Sequence, residues 1–203
     1  MTASIVLSGC LSTGFNYVTH HNPDKTAAFY RLPAHWKVYD YAEVLRAANG
    51  PLSLSTLSEM QGAEWLDAFS ADPRFKASEF AFIGTKYPAG IASAFPIAPN
   101  ARGSFSISEL RSLILGSDPF AVHSPFGVMA YSEFTGSDGL RGIKMVVSIP
   151  ISGLKTSEFG EVAEVDAATN WVFEIGLGCS IGCWTTNSGV IHQVLNSWLV
   201  KER

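Results

Sequence analysis

The chain has 203 residues, enough for one well-cored domain and too few for two comfortable ones. Hydrophobic residues make up 47% and charged residues 16%, which excludes a disordered chain, since disorder combines few apolar side chains with high charge. Fourteen Lys and Arg against eighteen Asp and Glu leave a formal charge of -4 with no basic run, so no nucleic-acid partner is expected, and no apolar run reaches the roughly 18 to 20 residues of a membrane-crossing helix.

The chain opens on "IVLSGCLSTG". Leu7-Ser8-Gly9-Cys10 resembles a bacterial lipobox, with an apolar residue three before the cysteine, small residues between, and a thiol as the point of diacylglycerol attachment. Small neighbours let a peptidase reach the bond before Cys10, and the freed thiol is the nucleophile for lipid transfer. Residues 1–14 therefore read as the remnant of a signal and lipid-attachment segment with its tether, and 15–203 as a single domain. Met1 to Leu7 is shorter than the charged and apolar stretch that export requires, so this reading expects a start codon upstream of Met1.

After an extended start, "AAFYRLPAHWKVYDY" has β-favouring residues on both sides of Pro33 and predicts strand, turn and strand. "YAEVLRAANG" predicts a helix stopped at Asn49-Gly50. "LSTLSEMQGAEWLDAF" spaces Leu57, Met60, Trp65 and Phe69 at near-helical intervals around Gly62, predicting two short helices. "EFAFIG" and "GIASAFPI" predict strands, and "SFSISELRSLILG" a helix with a Ser106/Glu109 capping box and a stop at Gly116. From residue 126 the period changes to two. "FGVMAYSEF", "RGIKMVVSIPI", "EFGEVAEVD" and "WVFEIGL" predict an antiparallel meander with one face buried, and "NSGVIHQVLNSWLVK" a final helix lying on it. The fold class is α+β, an antiparallel sheet packed by helices.

Gly178, Ser180 and Gly182 in "GCSIG" spell a nucleophile elbow, and a hydrolase using Ser180 or a His-carboxylate pair is the enzymatic reading. An elbow belongs to a parallel βαβ unit and needs an acid and then a histidine downstream, whereas only His192 follows and no Asp does. Cys179 and Cys183 would form a loop-closing disulfide in an exported protein and inert thiols in a cytosolic one. Zinc would want more ligands than this pair has neighbours, and no metal or other cofactor is expected. His20, His21 and Asp24 could ligate a metal or move protons, but adjacent residues of an extended segment point to opposite faces, which favours a polar edge strand. Glu158, Glu161, Glu164 and Asp166 invite a glycosidase-like or calcium-binding reading, but Glu158 and Glu164 share a strand parity that Glu161 opposes, so they do not converge without a bulge and a solvated strand face is expected. Phe29, Tyr30, Trp36, Tyr39 and Tyr41 read as core, and His192 as an ordinary helical histidine.

At the two ends, "FYRLPAHWKVYDY" and "VIHQVLNSWLVK" resemble the PsbP-like superfamily: a strand, a proline and then a tryptophan at the start, and a helix running into Ser197-Trp198-Leu199-Val200 at the close. With the lipobox and the close cysteine pair, the chain looks like an envelope lipoprotein of an actinobacterium-like organism. The resemblance implies an α/β/α sandwich serving as a binding or scaffold module without a shared catalytic centre. It implies a lipid-anchored position on the outer side of the cytoplasmic membrane, with Cys10 the lipid site and a protein or small molecule as the further partner.

Overall fold

A computed structural model describes residues 14–23, 25–47, 63–77, 83–136, 138–151 and 155–202. In chain order these form β1 (Phe15–His21), β2 (Ala27–Pro33), β3 (Lys37–Asp40), α1 (Tyr41–Ala47), β4 (Trp65–Ser70), β5 (Ala89–Pro96), α2 (Ile107–Ser112), β6 (Gly127–Thr135), β7 (Arg141–Ile151), β8 (Lys155–Val165), β9 (Trp171–Ser180), α3 (Ile181–Leu195) and β10 (Leu199–Lys201).

Seven strands make one sheet in the order β3-β4-β5-β9-β8-β7-β6, every neighbouring pair antiparallel. The other three form a small antiparallel sheet, β1-β2-β10. Directly paired residues share a face, so one side of the large sheet carries Trp65, Phe69, Phe173, Ile175, Leu177 and Cys179. That side is covered by α3 and by Tyr30 and Leu32 of the small sheet in one continuous core. The opposite side carries Ile143, Met145, Val147 and Phe159 beneath α2 and its flanking loops, and Leu66, Ala68 and Ile91 beneath Val44 of α1. Helices therefore flank the large sheet on both sides, an α+β arrangement, with the small sheet sharing one outer layer with α3.

The structure departs from the sequence reading at four places, each with a tertiary cause. Trp65–Ser70 is a strand, where a helix was expected, because both of its faces are buried and no polar side remains to mark a period of two. The period-two pattern of the meander marks one buried face, whereas both are covered, as in the expected α/β/α arrangement: every residue of β9 from Val172 to Cys179 is buried. The final helix starts earlier, directly after Ser180, and ends at Leu195; Leu199–Lys201 instead adds a strand to β2. The small second sheet is the fourth difference. Cys10, the expected helix around Leu57 and Met60, and most of "EFAFIG" lie outside the described residues.

Candidate ligand-binding cleft

The strands β6, β7 and β8 build the floor of a cleft of about 370 Å³ that the last turn of α3 and β10 wall in. Register puts Phe134, Gly142 and Glu164 side by side on one face, and Lys144 beside Val162. Gly142 matters here for its missing side chain: a Cβ would stand 2.3 Å from the Phe134 ring, so the glycine lets that ring lie flat against the floor. On the wall side, α3 ends where the Asn196 N–H donates to the His192 carbonyl at 2.9 Å. The Ser197 hydroxyl donates to the Val194 carbonyl (2.6 Å) and accepts from the Arg31 N–H (3.0 Å), tying the helix end to β2. This turn delivers Trp198 and Val200 into the cleft opposite Glu164, and Lys144 donates to the Asn196 side chain across one side of it.

Electrostatics set the chemistry of that floor. Burial lifts the Glu164 carboxyl to about 7, opposed by the indole N–H of Trp198, which approaches it without the alignment of a full hydrogen bond. Near neutral pH the group exchanges between a neutral acid, able to donate to a carbonyl or hydroxyl, and a carboxylate able to hold an ammonium. Leu140, Val162, Leu195, Trp198 and Val200 around it offer apolar surface, and Lys201 and Asp138 stand at the rim. An apolar cleft with a few convergent polar groups is the usual form of a small-molecule site.

Behind Trp198 lies a polar cluster at the seam of the two sheets. His20 Nε2 meets Asp67 Oδ2 at 2.7 Å, and the Tyr30 hydroxyl donates to the same oxygen. Burial and the Asp67 carboxylate push the Tyr30 phenol well above its usual range, so it stays protonated. The His20 ring stacks on Trp65 at 4.1 Å with planes 6° apart, and Trp65 Nε1 donates to Asn22 Oδ1 at 2.8 Å. Trp198 packs against both Tyr30 and Trp65, joining this cluster to the cleft.

The expected site residues fall as follows. His20 and His21 do point apart, His21 outward; His20 pairs with Asp67, and Asp24 lies outside the described residues. No Ser, Thr or Cys of the described residues hydrogen-bonds to that imidazole. Ser180 is half-buried at a strand-to-helix turn, but β9 runs antiparallel to both neighbours, and the Ser180 N–H donates to Thr85 with no histidine beside the hydroxyl. Cys179 and Cys183 place their sulfurs at bonding distance, 2.12 Å.

The acidic run of β8 is not solvated: Glu158, Glu161, Glu164 and Asp166 are all buried, because both faces of the strand are covered. Asp166 accepts from the N–H groups of Asn170 and Trp171 at 2.6 and 2.7 Å and fixes the β8–β9 turn. Glu161, on the face beneath α2, stands beside Glu174, whose carboxylate accepts from Ser93 at 2.7 Å. Tyr30 and Trp36 belong to the core, and His192 is exposed on α3. Among the described residues no three His, Cys, Asp or Glu side chains converge as a metal site would require. The cleft itself escaped the sequence reading because Glu164 and Trp198 sit on separate elements. The available signal was an acid at inward parity in "VAEVD".

No family model matches the chain, and no curated protein matches its sequence. Among solved structures it is similar to LpqN of Mycobacterium tuberculosis, described as involved in cell envelope biogenesis, at a TM-score of 0.49 and 14% identity over 92% of this chain and 91% of that one. It is similar to the cyanobacterial PsbP (CyanoP) of Synechocystis at 0.47 and 11%, over 96% and 99%. It is similar also to the Ran-binding protein Mog1p of Saccharomyces cerevisiae at 0.48 and 8%, over 93% and 97%. At these identities the likenesses assign no family and no role.

Proposed function

We propose that the chain is a non-catalytic binding module of a bacterial cell envelope, held at the outer face of the cytoplasmic membrane by lipid on Cys10. Its cleft takes an apolar ligand whose polar group reaches Glu164. The observation that carries this reading is the cleft, where a buried carboxyl raised to about 7 sits under Trp198 within apolar walls. That combination suits a ligand with a hydrocarbon body and one hydroxyl, carbonyl or amine. A dodecyl alcohol, acid and amine titrated against the intrinsic tryptophan fluorescence test it. Binding of at least one is expected, lost in Val162→Phe, which fills the floor, and with its pH dependence removed in Glu164→Gln. Failure of all three probes, or equal binding by Val162→Phe, sinks the cleft reading. Mass spectrometry of protein expressed from an upstream start tests the anchor, and an unmodified Cys10 in the membrane-free fraction removes it.

A second reading, an extracytoplasmic hydrolase, is favoured by one observation, the 2.7 Å His20–Asp67 pair. Asp67 could orient that imidazole as a general base. An esterase and glycosidase screen decides: turnover that His20→Ala abolishes would replace the binding module, and turnover lost in Ser180→Ala would restore the elbow.

A further inference from the structure

The described chain begins at the same end of the molecule as a basic cleft that its sequence does not reveal. The Gly14 carbonyl accepts from the Ala34 N–H at 2.9 Å, and three residues beyond Ala34, Lys37 opens β3 opposite Ser70, the last residue of β4. Ser70 in turn lies opposite Ala89, the first residue of β5. The segments leaving β4 and entering β5 enclose a cleft of about 570 Å³ that includes Asp72, Arg74, Lys76, Lys86 and Tyr87 in its lining. Lys37 borders it, its ammonium reaching the Phe75 carbonyl at 3.3 Å. Among the described residues, Lys37, Arg74, Lys76 and Lys86 come together here from three segments with Asp72, which lies 3.6 Å from the Arg74 guanidinium.

Toward the opposite end lie Asp40, Glu43, Glu64, Asp166 and Glu202, together with Lys25, Arg141 and Lys201, while Glu158, opposite Cys179, is a buried acid of the basic end. A chain with a formal charge of -4 is therefore polarised along its strands. Two further features belong to the basic end. The Ser180 N–H donates to the Thr85 carbonyl, so the 15-residue α3 starts here with its positive dipole end. Tyr87 and Ile181, 39% and 51% exposed, stand beside the cations. Cations interleaved with exposed aromatic and aliphatic side chains are the composition of a protein surface that rests in a headgroup layer.

We propose that this end, through Lys37, Arg74, Lys76 and Lys86, docks on a bilayer containing anionic phospholipid. Its orientation on a cell membrane rests on the anchoring reading above; its affinity for anionic lipid does not. Cys10 precedes Gly14 by four residues, which span at most about 14 Å. An acylated Cys10 therefore holds the basic end, and not the acidic one, against the surface. The diacylglycerol would supply the attachment and the basic patch would set which face rests on the bilayer, each cation near an anionic surface giving roughly a fivefold change in partitioning.

The test uses the full chain with Cys10 unacylated, sedimented with vesicles of phosphatidylcholine alone or with one-third phosphatidylglycerol. Partitioning is expected only with the anionic vesicles, weakening as salt rises. Arg74→Glu with Lys86→Glu should reduce it tenfold or more, while Lys25→Glu with Lys201→Glu, the same charge change at the far end, should leave it near wild type. Circular dichroism establishes that each variant is folded. Equal binding to neutral vesicles, equal loss with the far-end pair, or suppression by inorganic phosphate beyond that of chloride at matched ionic strength would each overturn the docking. An unmodified Cys10 in cells removes the anchor alone and leaves the vesicle result standing.

Discussion

Glu164 carries its proton to about pH 7 in the folded chain, against 4.5 for the free side chain. Because the folded value is the higher, the native state binds more protons between those two values. Stability is then full below about pH 4.5, falls as the pH rises to about 7, and is level above. The shift corresponds to about 3 kcal/mol. Glu164→Gln is therefore expected to gain roughly that much over the parent protein at pH 8 and little at pH 4, read by urea denaturation at both. An equal gain at both pH values would show that the charge is not what costs stability there. Glu161, wholly buried beside Glu174 with neither oxygen hydrogen-bonded, is raised by burial first and by that neighbour second, and its contribution has the same sign. Tyr30 plays the opposite part, donating to Asp67 between the two sheets. Tyr30→Phe leaves a buried carboxylate short of a donor and should cost about 1–3 kcal/mol, measured by the same denaturation at pH 7. Neither glutamate's burial could be read from residue type alone, since an acid in a strand is ordinarily a surface residue.

Elements with local signals are the ones the sequence specifies well. The α2 capping box is an example: the Ser106 N–H meets Glu109 at 2.5 Å and the Glu109 N–H meets the Ser106 hydroxyl at 3.3 Å, both within four residues. Ser106→Ala should cost about 1 kcal/mol, seen as a lowered urea midpoint with unchanged m-value. A larger loss would mean that this short helix and the loops it holds unfold together. The strand β7 is equally legible, because Ile143, Met145, Val147 and Ile149 alternate with less buried residues. By contrast β4 has six buried residues in a row, and that continuous burial erases the alternation. The start of α3 was obscured in another way: Gly182 and Cys183 stand where a helix-favouring run would be expected, and the turn is fixed instead by pairing of Cys179 with Cys183 and of Ser180 with Thr85.

At the scale of the molecule, α3 is the element on which the two sheets meet, and its first turn is joined to β9 through Cys179 and Cys183. A cross-link closing so short a segment contributes about 2 kcal/mol in the chain-entropy account. Cys183→Ser is expected to lower stability by that amount relative to the oxidised protein and by little relative to the reduced one, so that added reductant removes the difference. Identical unfolding of the parent chain with and without reductant would mean that the thiols are not joined in solution. The charge asymmetry along the strands belongs to this scale as well. It is assembled from Lys37, Arg74, Lys76 and Lys86, cations that lie as far as 49 positions apart in the chain and converge through strand pairing.

The amino-acid sequence by itself determined the α+β class, the antiparallel run from β6 to β9, the capped α2 and the polar edge strand ending at His21, because each rests on contacts within a few residues or on a simple period. It also marked the close cysteine pair. Only the tertiary structure decided that a small second sheet shares a layer with α3, that the acids of β8 are buried, that His20 belongs with Asp67, and that Glu164 faces Trp198 across a cleft. Those depend on which face of a strand is covered and by what, and that is settled by long-range pairing whose partners leave no local trace.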